Sequence, residues 1–301
     1  MKVSAPVIEV AAVPAEKSHF ALFSELVKAR LTALVVLTTL VGFYAGSPRG
    51  IDYALMIHAV LGTALVACGA AALNQLLERE HDRGMRRTED RPLPSGRMTP
   101  DTVLIVGGLC TAAGLIYLAL AVNLLTSLLG AVTWVSYLFV YTPLKRITTL
   151  NTVIGAIPGA IPPLMGWTAA RGQIDLGGWA LFAILFFWQL PHFLAIAWMY
   201  REDYERAGFV MLPVVDPDGA RTGRQALSHC LGLLPVSLAP TVLNVTGVIY
   251  FFGALVLGIT FAWSAFQFSR KLDRPSARRL FFVSIIYLPL LLGLLVFDRL
   301  K

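Results

Sequence analysis

Segment 74–96 of this chain, NQLLEREHDRGMRRTEDRPLPSG, concentrates the residues that could do chemistry. Asn74, Glu78 and Asp82 stand four residues apart, so on a helix they follow one face and span about 12 Å along its axis. Carboxylate and amide oxygens in a row suit Mg²⁺, and guanidinium groups suit phosphate. The block therefore predicts a binding site, called the grip below, for a magnesium-bridged diphosphate. Five arginines follow or interleave with the acids: Arg79, Arg83, Arg86, Arg87 and Arg91.

The alternative interpretation is a solvated loop whose acids pair with its own arginines. Two features favour the grip. Asn74 and Glu78 lie at the end of an apolar run, where polar side chains are costly unless they are used. The following RPLPSG sequence predicts a rigid turn that brings Arg91 back towards the acids.

Two further charged segments follow apolar runs. Asp203, in YREDYERAGF, is either part of an ordinary helix-end cluster or the opposing carboxylate that a second magnesium would require. Lys145 and Arg146, in YTPLKR, either contact lipid headgroups or hold a phosphate. Each segment has these two interpretations when it is taken alone.

His192 lies inside an apolar run, directly after Pro191. A histidine within a membrane span is a functional hypothesis by default, although a hydrogen-bonded packing role is the alternative. The three cysteines lie in or at the edge of apolar runs and have neither disulfide nor zinc-ligand spacing.

The elements that position these residues are membrane spans. The chain has 301 residues, of which 56% are hydrophobic and only 14% are charged, which is typical of a membrane protein. We predict an all-α, polytopic membrane protein with about nine transmembrane helices around a central cavity. The nine apolar runs lie near 31–47, 54–76, 102–122, 124–141, 152–170, 177–199, 228–247, 249–267 and 280–297.

The basic residues predict the orientation of the spans. With a cytoplasmic N-terminus, 21 of the 25 lysines and arginines lie on the inner side, as the positive-inside rule expects. The net charge of +7 then reflects topology and gives no reason to expect nucleic acid as a partner. We predict a cytoplasmic segment 1–30 with an interfacial helix, followed by one transmembrane domain, 31–301. The four outer basic residues are Arg49, Arg171, Arg299 and Lys301.

The fifth apolar run, NTVIGAIPGAIPPLMGW, combines close glycines with three prolines. Small residues four apart permit close helix approach, and prolines free backbone carbonyls that need partners. The run predicts a tightly packed helix, a cavity wall, or both.

These segments resemble the UbiA superfamily of intramembrane prenyltransferases, which has an N-x-x-x-D/E-x-x-x-D motif after the second helix and a second acidic motif after the sixth. Within that superfamily the chain is most similar to the protoheme IX farnesyltransferases, or heme O synthases. The matching segments are the 74–96 block, YTPLKR, GAIPGAIPPLMGW, WQLPHF and DYERAGFVMLPV.

The resemblance implies roles for individual residues. Asn74, Glu78, Asp82 and Asp203 would be catalytic and hold Mg²⁺, while Trp188 and His192 would lie towards the heme. The second motif of related aromatic-acceptor enzymes usually reads D-x-x-x-D. Here Met199 stands four residues before Asp203 and Ala207 stands four after it, so the second motif has one carboxylate fewer and the number of magnesium ions stays open. The implied diphosphate-binding residues are Arg30, Arg83, Arg87, Arg91, Lys145 and Arg146, with Lys28 as a further member.

The resemblance also implies an activity and a location. A farnesyl group from farnesyl diphosphate would pass to the vinyl group of heme B, with addition of water, to give heme O. The implied setting is the bacterial inner membrane, with heme A synthase or oxidase assembly factors as downstream partners. The closest alternative is prenyl transfer to an aromatic acid in quinone synthesis, and WQLPHF favours heme. The D-G-x-x-A-R motif of CDP-alcohol phosphotransferases is absent from this sequence. A transporter would carry charged residues in the middle of its spans, whereas the acids here gather at the ends of the apolar runs.

Overall fold

The computed structural model describes residues 17–47 and 50–300. Within these ranges the chain is almost entirely helical, and β pairing is limited to one bridge between Thr246 and Arg299. The all-α prediction is therefore confirmed. Most of the predicted N-terminal segment lies outside the described residues.

The first half of the bundle contains α1 (His19–Leu26), α2 (Ala29–Gly46), α3 (Tyr53–Arg83), α4 (Pro100–Ala121) and α5 (Leu124–Val135). A π-helical segment, Ser136–Tyr141, and a single turn, α6 (Thr142–Leu144), continue α5 without a break. The second half contains α7 (Asn151–Arg171), α8 (Leu176–Met199), α9 (Arg201–Arg206), α10 (Ala220–Val242), α11 (Val248–Lys271) and α12 (Arg274–Phe297). A 3₁₀ turn, Leu212–Val214, lies between α9 and α10.

Eight of the described helices are long and apolar enough to cross a membrane. The predicted seventh span, 228–247, corresponds to α10, which has 23 residues but begins with the polar sequence ARTGRQALSH. Counting α10 gives nine long helices in the part of the chain described, in agreement with the prediction of about nine.

The largest boundary difference is in α3. The sequence predicts a span over 54–76, whereas the helix has 31 residues in all and ends at Arg83. Asn74, Glu78 and Asp82 are therefore on one uninterrupted helix that extends beyond its apolar part. Asp52 caps the start of α3 by accepting a hydrogen bond from the Leu55 amide at 3.0 Å.

Helices α7 and α8 form the centre of the bundle. They are the most buried spans, with 67% and 61% of their apolar windows inside the protein. The close approach of α2 to α7 depends on glycine: a Cβ on Gly42 would collide with the Pro163 carbonyl, and one on Gly166 with the Thr39 carbonyl. Gln189 of α8 donates to the Ala156 carbonyl of α7 at 2.8 Å. Because Pro158 also lines the main cavity, α7 is both a tightly packed helix and a cavity wall.

The glycine contact predicts a stability difference between two Gly→Ala variants. Gly166→Ala should lower the free energy of unfolding by about 1–3 kcal/mol, because the methyl group forces α2 away from α7. Gly108→Ala on α4 is the matched control, since a Cβ there meets nothing within 4 Å. Thermal unfolding in detergent measures both, and equal midpoints would contradict the packing argument.

Candidate active site

A cavity of about 460 Å³ opens between α2, α3, the π-helical segment, α7 and α8. One end is strongly polar, and its charged wall consists of Lys28, Glu78, Asp82, Arg87, Arg91 and Lys145. The remainder is mainly apolar and aromatic. The cavity therefore suits a ligand that has one charged end and an apolar remainder.

Glu78 is 4% exposed and lies at the charged end. Its Oε1 accepts a hydrogen bond from Lys145 Nζ at 2.8 Å, and its Oε2 accepts one from Asn74 Nδ2 at 3.1 Å. A carboxylate in this position requires such partners, because a charge buried without them is costly. Lys145 comes directly after α6, so the end of the fourth span is fixed against α3.

Asp82 is 1% exposed and is paired with Arg91, whose Nη1 donates to Asp82 Oδ2 at 2.7 Å. The chain between them folds back on α3, and Thr88 Oγ1 donates to the Asp82 carbonyl at 2.8 Å. The turn that the RPLPSG sequence predicts thus places Arg91 against the acid.

Lys28 reaches the same end of the cavity from the junction of α1 and α2. Its backbone φ of 49° is in the left-handed region, which is unusual for a side chain of this size. Its Nζ donates to Asn74 Oδ1 at 2.5 Å and lies 3.5 Å from the Tyr137 hydroxyl. Burial and the nearby Arg91 charge lower the pKa of Lys28 to about 7, so a bound anion would favour its charged form.

Asn74 is completely buried behind this wall and does not line the cavity. Its amide nitrogen donates to Glu78 and, at 3.1 Å, to Thr142 Oγ1, while its amide oxygen accepts from Lys28. In this arrangement Asn74 connects three side chains of the site to one another.

The π-helical segment places two phenol rings in the cavity wall. The rings of Tyr137 and Tyr141 stack with centroids 5.8 Å apart, and Lys145 Nζ lies 4.5 Å from the Tyr141 centroid. Burial alone would lower the pKa of Lys145, but Tyr141 and Glu78 outweigh it and hold that pKa above its ordinary value. Lys145 therefore stays cationic.

Besides Asn74, four more of the predicted site residues lie outside the cavity wall. Arg30 is exposed, and Arg83 points to Glu80 and to the Pro94 carbonyl. Arg146 donates to the Leu77 carbonyl at 3.3 Å, and Asp203 lies 3.5 Å from Arg206. Roles for these four stay predictions. Arg87, by contrast, lines the cavity with a hydrogen bond of 3.4 Å to the Tyr204 hydroxyl.

Trp188 and His192 line the apolar part of the same cavity. Their rings stack with centroids 5.1 Å apart. Trp188 Nε1 donates to the Ser284 carbonyl at 2.8 Å, and His192 Nδ1 lies 2.7 Å from Ser284 Oγ. One residue of α12 thus holds both aromatic side chains of α8.

Sequence reasoning missed several residues of the wall. Tyr137 had a usable signal, since it stands four residues before Tyr141, the first residue of YTPLKR. Tyr204 lay inside the acidic cluster but was overlooked beside Asp203. Ser284 gave no signal, because it is one small polar residue in a long apolar run.

The donor set at the charged end fits magnesium. No three histidine, cysteine or acidic side chains converge on one point within 17–47 and 50–300. Mg²⁺ does not need such a cluster, because it commonly binds through one or two carboxylates together with substrate phosphates and water. Glu78 and Asp82, both buried and both lining the cavity, supply those carboxylates.

The UbiA prenyltransferase family matches residues 35–286, which include every part of this cavity except Lys28 and the neighbouring Leu31, Thr32 and Leu34. The chain belongs to the UbiA prenyltransferase family. It is therefore a prenyltransferase, and its polytopic all-α fold is that of the UbiA family.

Curated relatives are similar over nearly the whole chain. The protoheme IX farnesyltransferase of Solibacter usitatus is 47% identical over 286 residues, covering 92% of this chain and 98% of the relative. The mitochondrial protoheme IX farnesyltransferase of Homo sapiens is 44% identical over 275 residues, covering 91% of this chain and 61% of the relative.

Solved UbiA-family structures share the fold at low identity. A digeranylgeranylglyceryl phosphate synthase structure superposes with a TM-score of 0.79 at 16% identity, covering 93% of this chain and 98% of that one. A UbiA homolog from Archaeoglobus fulgidus, bound to DMAPP and Mg²⁺, gives a TM-score of 0.66 at 16% identity, covering 91% and 98%.

The position of Arg87 predicts a binding defect specific to this arginine. Arg87→Ala should raise the KM for a prenyl diphosphate at least tenfold, because a charge-assisted contact contributes about 1.5–3 kcal/mol. Arg79→Ala is the matched control, since Arg79 pairs with Glu80 on the outer side of α3. Steady-state kinetics measures both variants, and a larger defect in Arg79→Ala would contradict the assignment.

Proposed function

We propose that this UbiA-family enzyme transfers the farnesyl group of farnesyl diphosphate to the vinyl group of heme B, with addition of water, to give heme O and diphosphate. One observation carries the proposal: a single cavity has four cationic and two acidic side chains at one end and a histidine–tryptophan pair in its apolar wall. The similarity to protoheme IX farnesyltransferases over 92% of the chain supports the choice of acceptor.

The charged end would bind the diphosphate. Lys28, Arg87, Arg91 and Lys145 present four cationic groups to it, and all four line the cavity. Glu78 and Asp82 would hold Mg²⁺, which neutralises charge on a departing diphosphate. Fixed cations that face the leaving oxygens stabilise developing negative charge without having to reorganise during the reaction.

The walls between the two ends would protect the allylic cation. Apolar side chains exclude water from the farnesyl chain, which limits premature hydrolysis. The phenol rings of Tyr137 and Tyr141 lie beside the grip, where aromatic faces attract a carbocation as they attract other cations. The electron-rich vinyl carbon of the porphyrin then forms the new C–C bond, and water captures the resulting porphyrin-side cation.

Trp188 and His192 would contact the porphyrin. Both lie in the apolar wall and are held by Ser284. An aromatic and imidazole surface suits a flat macrocycle better than it suits the carboxylate of an aromatic acid.

The protein is a multi-pass membrane protein, and we propose that its charged end faces the cytoplasm. The support is the distribution of basic residues, 21 of which fall on that side. In a bacterial inner membrane, the product would pass to heme A synthase or to an oxidase assembly factor.

The proposal is tested by incubating the purified chain with heme B, farnesyl diphosphate and Mg²⁺ and analysing the porphyrins by mass spectrometry. A hydroxyethylfarnesyl porphyrin is the expected product. Prenylation of an aromatic acid, with heme B unchanged, would contradict the acceptor and leave the prenyl transfer intact.

Neutral replacement of either buried acid should remove turnover. Glu78→Gln and Asp82→Asn should each lower kcat at least 100-fold, because each loses a charged ligand of the proposed magnesium site. Asp82→Asn is the cleaner variant: Arg91 keeps 24% of its side chain exposed, whereas Glu78→Gln leaves the more buried Lys145 unpaired. Leaving Lys145 without its ionic partner in Glu78→Gln should also cost about 3–5 kcal/mol of stability.

Glu80→Gln is the control on the same helix, because Glu80 is exposed and pairs with Arg79 and Arg83. Kinetics and thermal unfolding are measured for all three variants. Turnover near that of the unmodified protein in Asp82→Asn would remove this acid from the metal site.

A further inference from the structure

A hydrogen bond between His192 of α8 and Ser284 of α12 fixes the protonation of the imidazole. His192 Nδ1 lies 2.7 Å from Ser284 Oγ, and the same Oγ lies 2.6 Å from the Phe281 carbonyl. A hydroxyl has one hydrogen to donate, and a carbonyl can only accept. Both contacts are hydrogen bonds at the same time when the serine donates to Phe281 and accepts from His192. In the neutral imidazole, Nδ1 then carries the hydrogen and Nε2 carries a lone pair.

The ring is also held in place on both faces. Trp188 covers one face with a centroid distance of 5.1 Å and an interplanar angle of 22°, and Phe281 stacks at 5.1 Å and 27°. Trp188 is itself fixed by its bond to the Ser284 carbonyl. A third ring, Phe193, meets the imidazole at 5.5 Å and 64°. With Nδ1 engaged by Ser284, Nε2 is the ring nitrogen left for the cavity that His192 lines.

A histidine enclosed by packing has protein partners at both ring nitrogens, whereas one that lines a cavity can keep a nitrogen for a ligand or for water. Here the hydrogen bond found for His192 among the described residues is at Nδ1. A metal-ligating histidine commonly has this arrangement, in which one nitrogen donates to a neighbouring acceptor and the other faces the metal. The neighbouring acceptor then sets the tautomer and the orientation of the ring.

We propose that His192 Nε2 is an axial ligand to the iron of the porphyrin substrate and that Ser284 is the positioning residue for it. This inference rests on the proposed function, since it assumes heme B as the acceptor. Iron ligation would anchor the macrocycle at one point of the apolar wall. The same bond would distinguish a metalloporphyrin from a metal-free one.

The test uses the full-length protein in detergent, titrated with ferric heme B in the absence of farnesyl diphosphate. Absorption and electron paramagnetic resonance spectra should show nitrogen-ligated iron in the unmodified protein. His192→Ala should lose this signature, and added imidazole should restore it. Metal-free protoporphyrin IX should bind equally well to both proteins, which separates lost ligation from a collapsed pocket.

Ser284→Ala should weaken heme B binding about tenfold and shift the spectrum, because the imidazole loses the hydrogen bond that orients it. Ser284→Thr, which keeps the hydroxyl, should recover the unmodified spectrum. Ser237→Ala is the matched control, because Ser237 is equally buried and makes the same kind of bond, to the Leu234 carbonyl at 2.8 Å.

The outcomes separate the two proposals. An unchanged heme spectrum in His192→Ala, in a protein that still makes heme O, would overturn the ligation and leave the proposed function standing. Equal spectra for Ser284→Ala and Ser237→Ala would overturn the positioning role. Failure of the unmodified protein to bind heme B or to prenylate it would overturn both the function and the inference.

Discussion

Two negative charges buried at the end of a membrane helix are the constraint on which this structure depends. Glu78 and Asp82 are almost completely buried, and each would be strongly destabilising without a cation within hydrogen-bonding distance. Lys145 and Arg91 meet that need from distant parts of the chain. The end of the fourth span and the turn after α3 are held in place because these two acids must be paired.

The pairing also bears on the proposed binding of a trianionic diphosphate and a divalent cation in one site. Without a ligand, the acids and two of the four cavity-lining cations neutralise one another. In the proposed complex, the carboxylates would face the metal and the cations would face the phosphate oxygens, so that no charge is left without a partner. These contacts would be in place before the bond is cleaved, which would keep the reorganisation energy low during the reaction.

How much the sequence could predict depended on the range of each interaction. Spacing along α3 predicted the placement of Asn74, Glu78 and Asp82 on one helix, because that pattern is local. The same local pattern could not show that Asn74 lies behind the wall or that Arg83 points away from the cavity, since the rotation of α3 is decided by packing. Lys28 and Ser284 depend on contacts between distant helices, and a single lysine or serine gives no pattern that predicts such contacts.

The π-helical segment at Ser136–Tyr141 has a consequence for how this chain tolerates insertions and deletions. A π-helical segment is in effect an α-helix with one residue added, and each residue of an α-helix turns the chain by about 100°. Loss of one residue within 136–141 would restore regular α-helix and rotate everything that follows, carrying Tyr141 and Lys145 away from the cavity. Exposed loops that contribute no side chain to the cavity can change in length with little effect on the site. The fourth span has to keep its residue count.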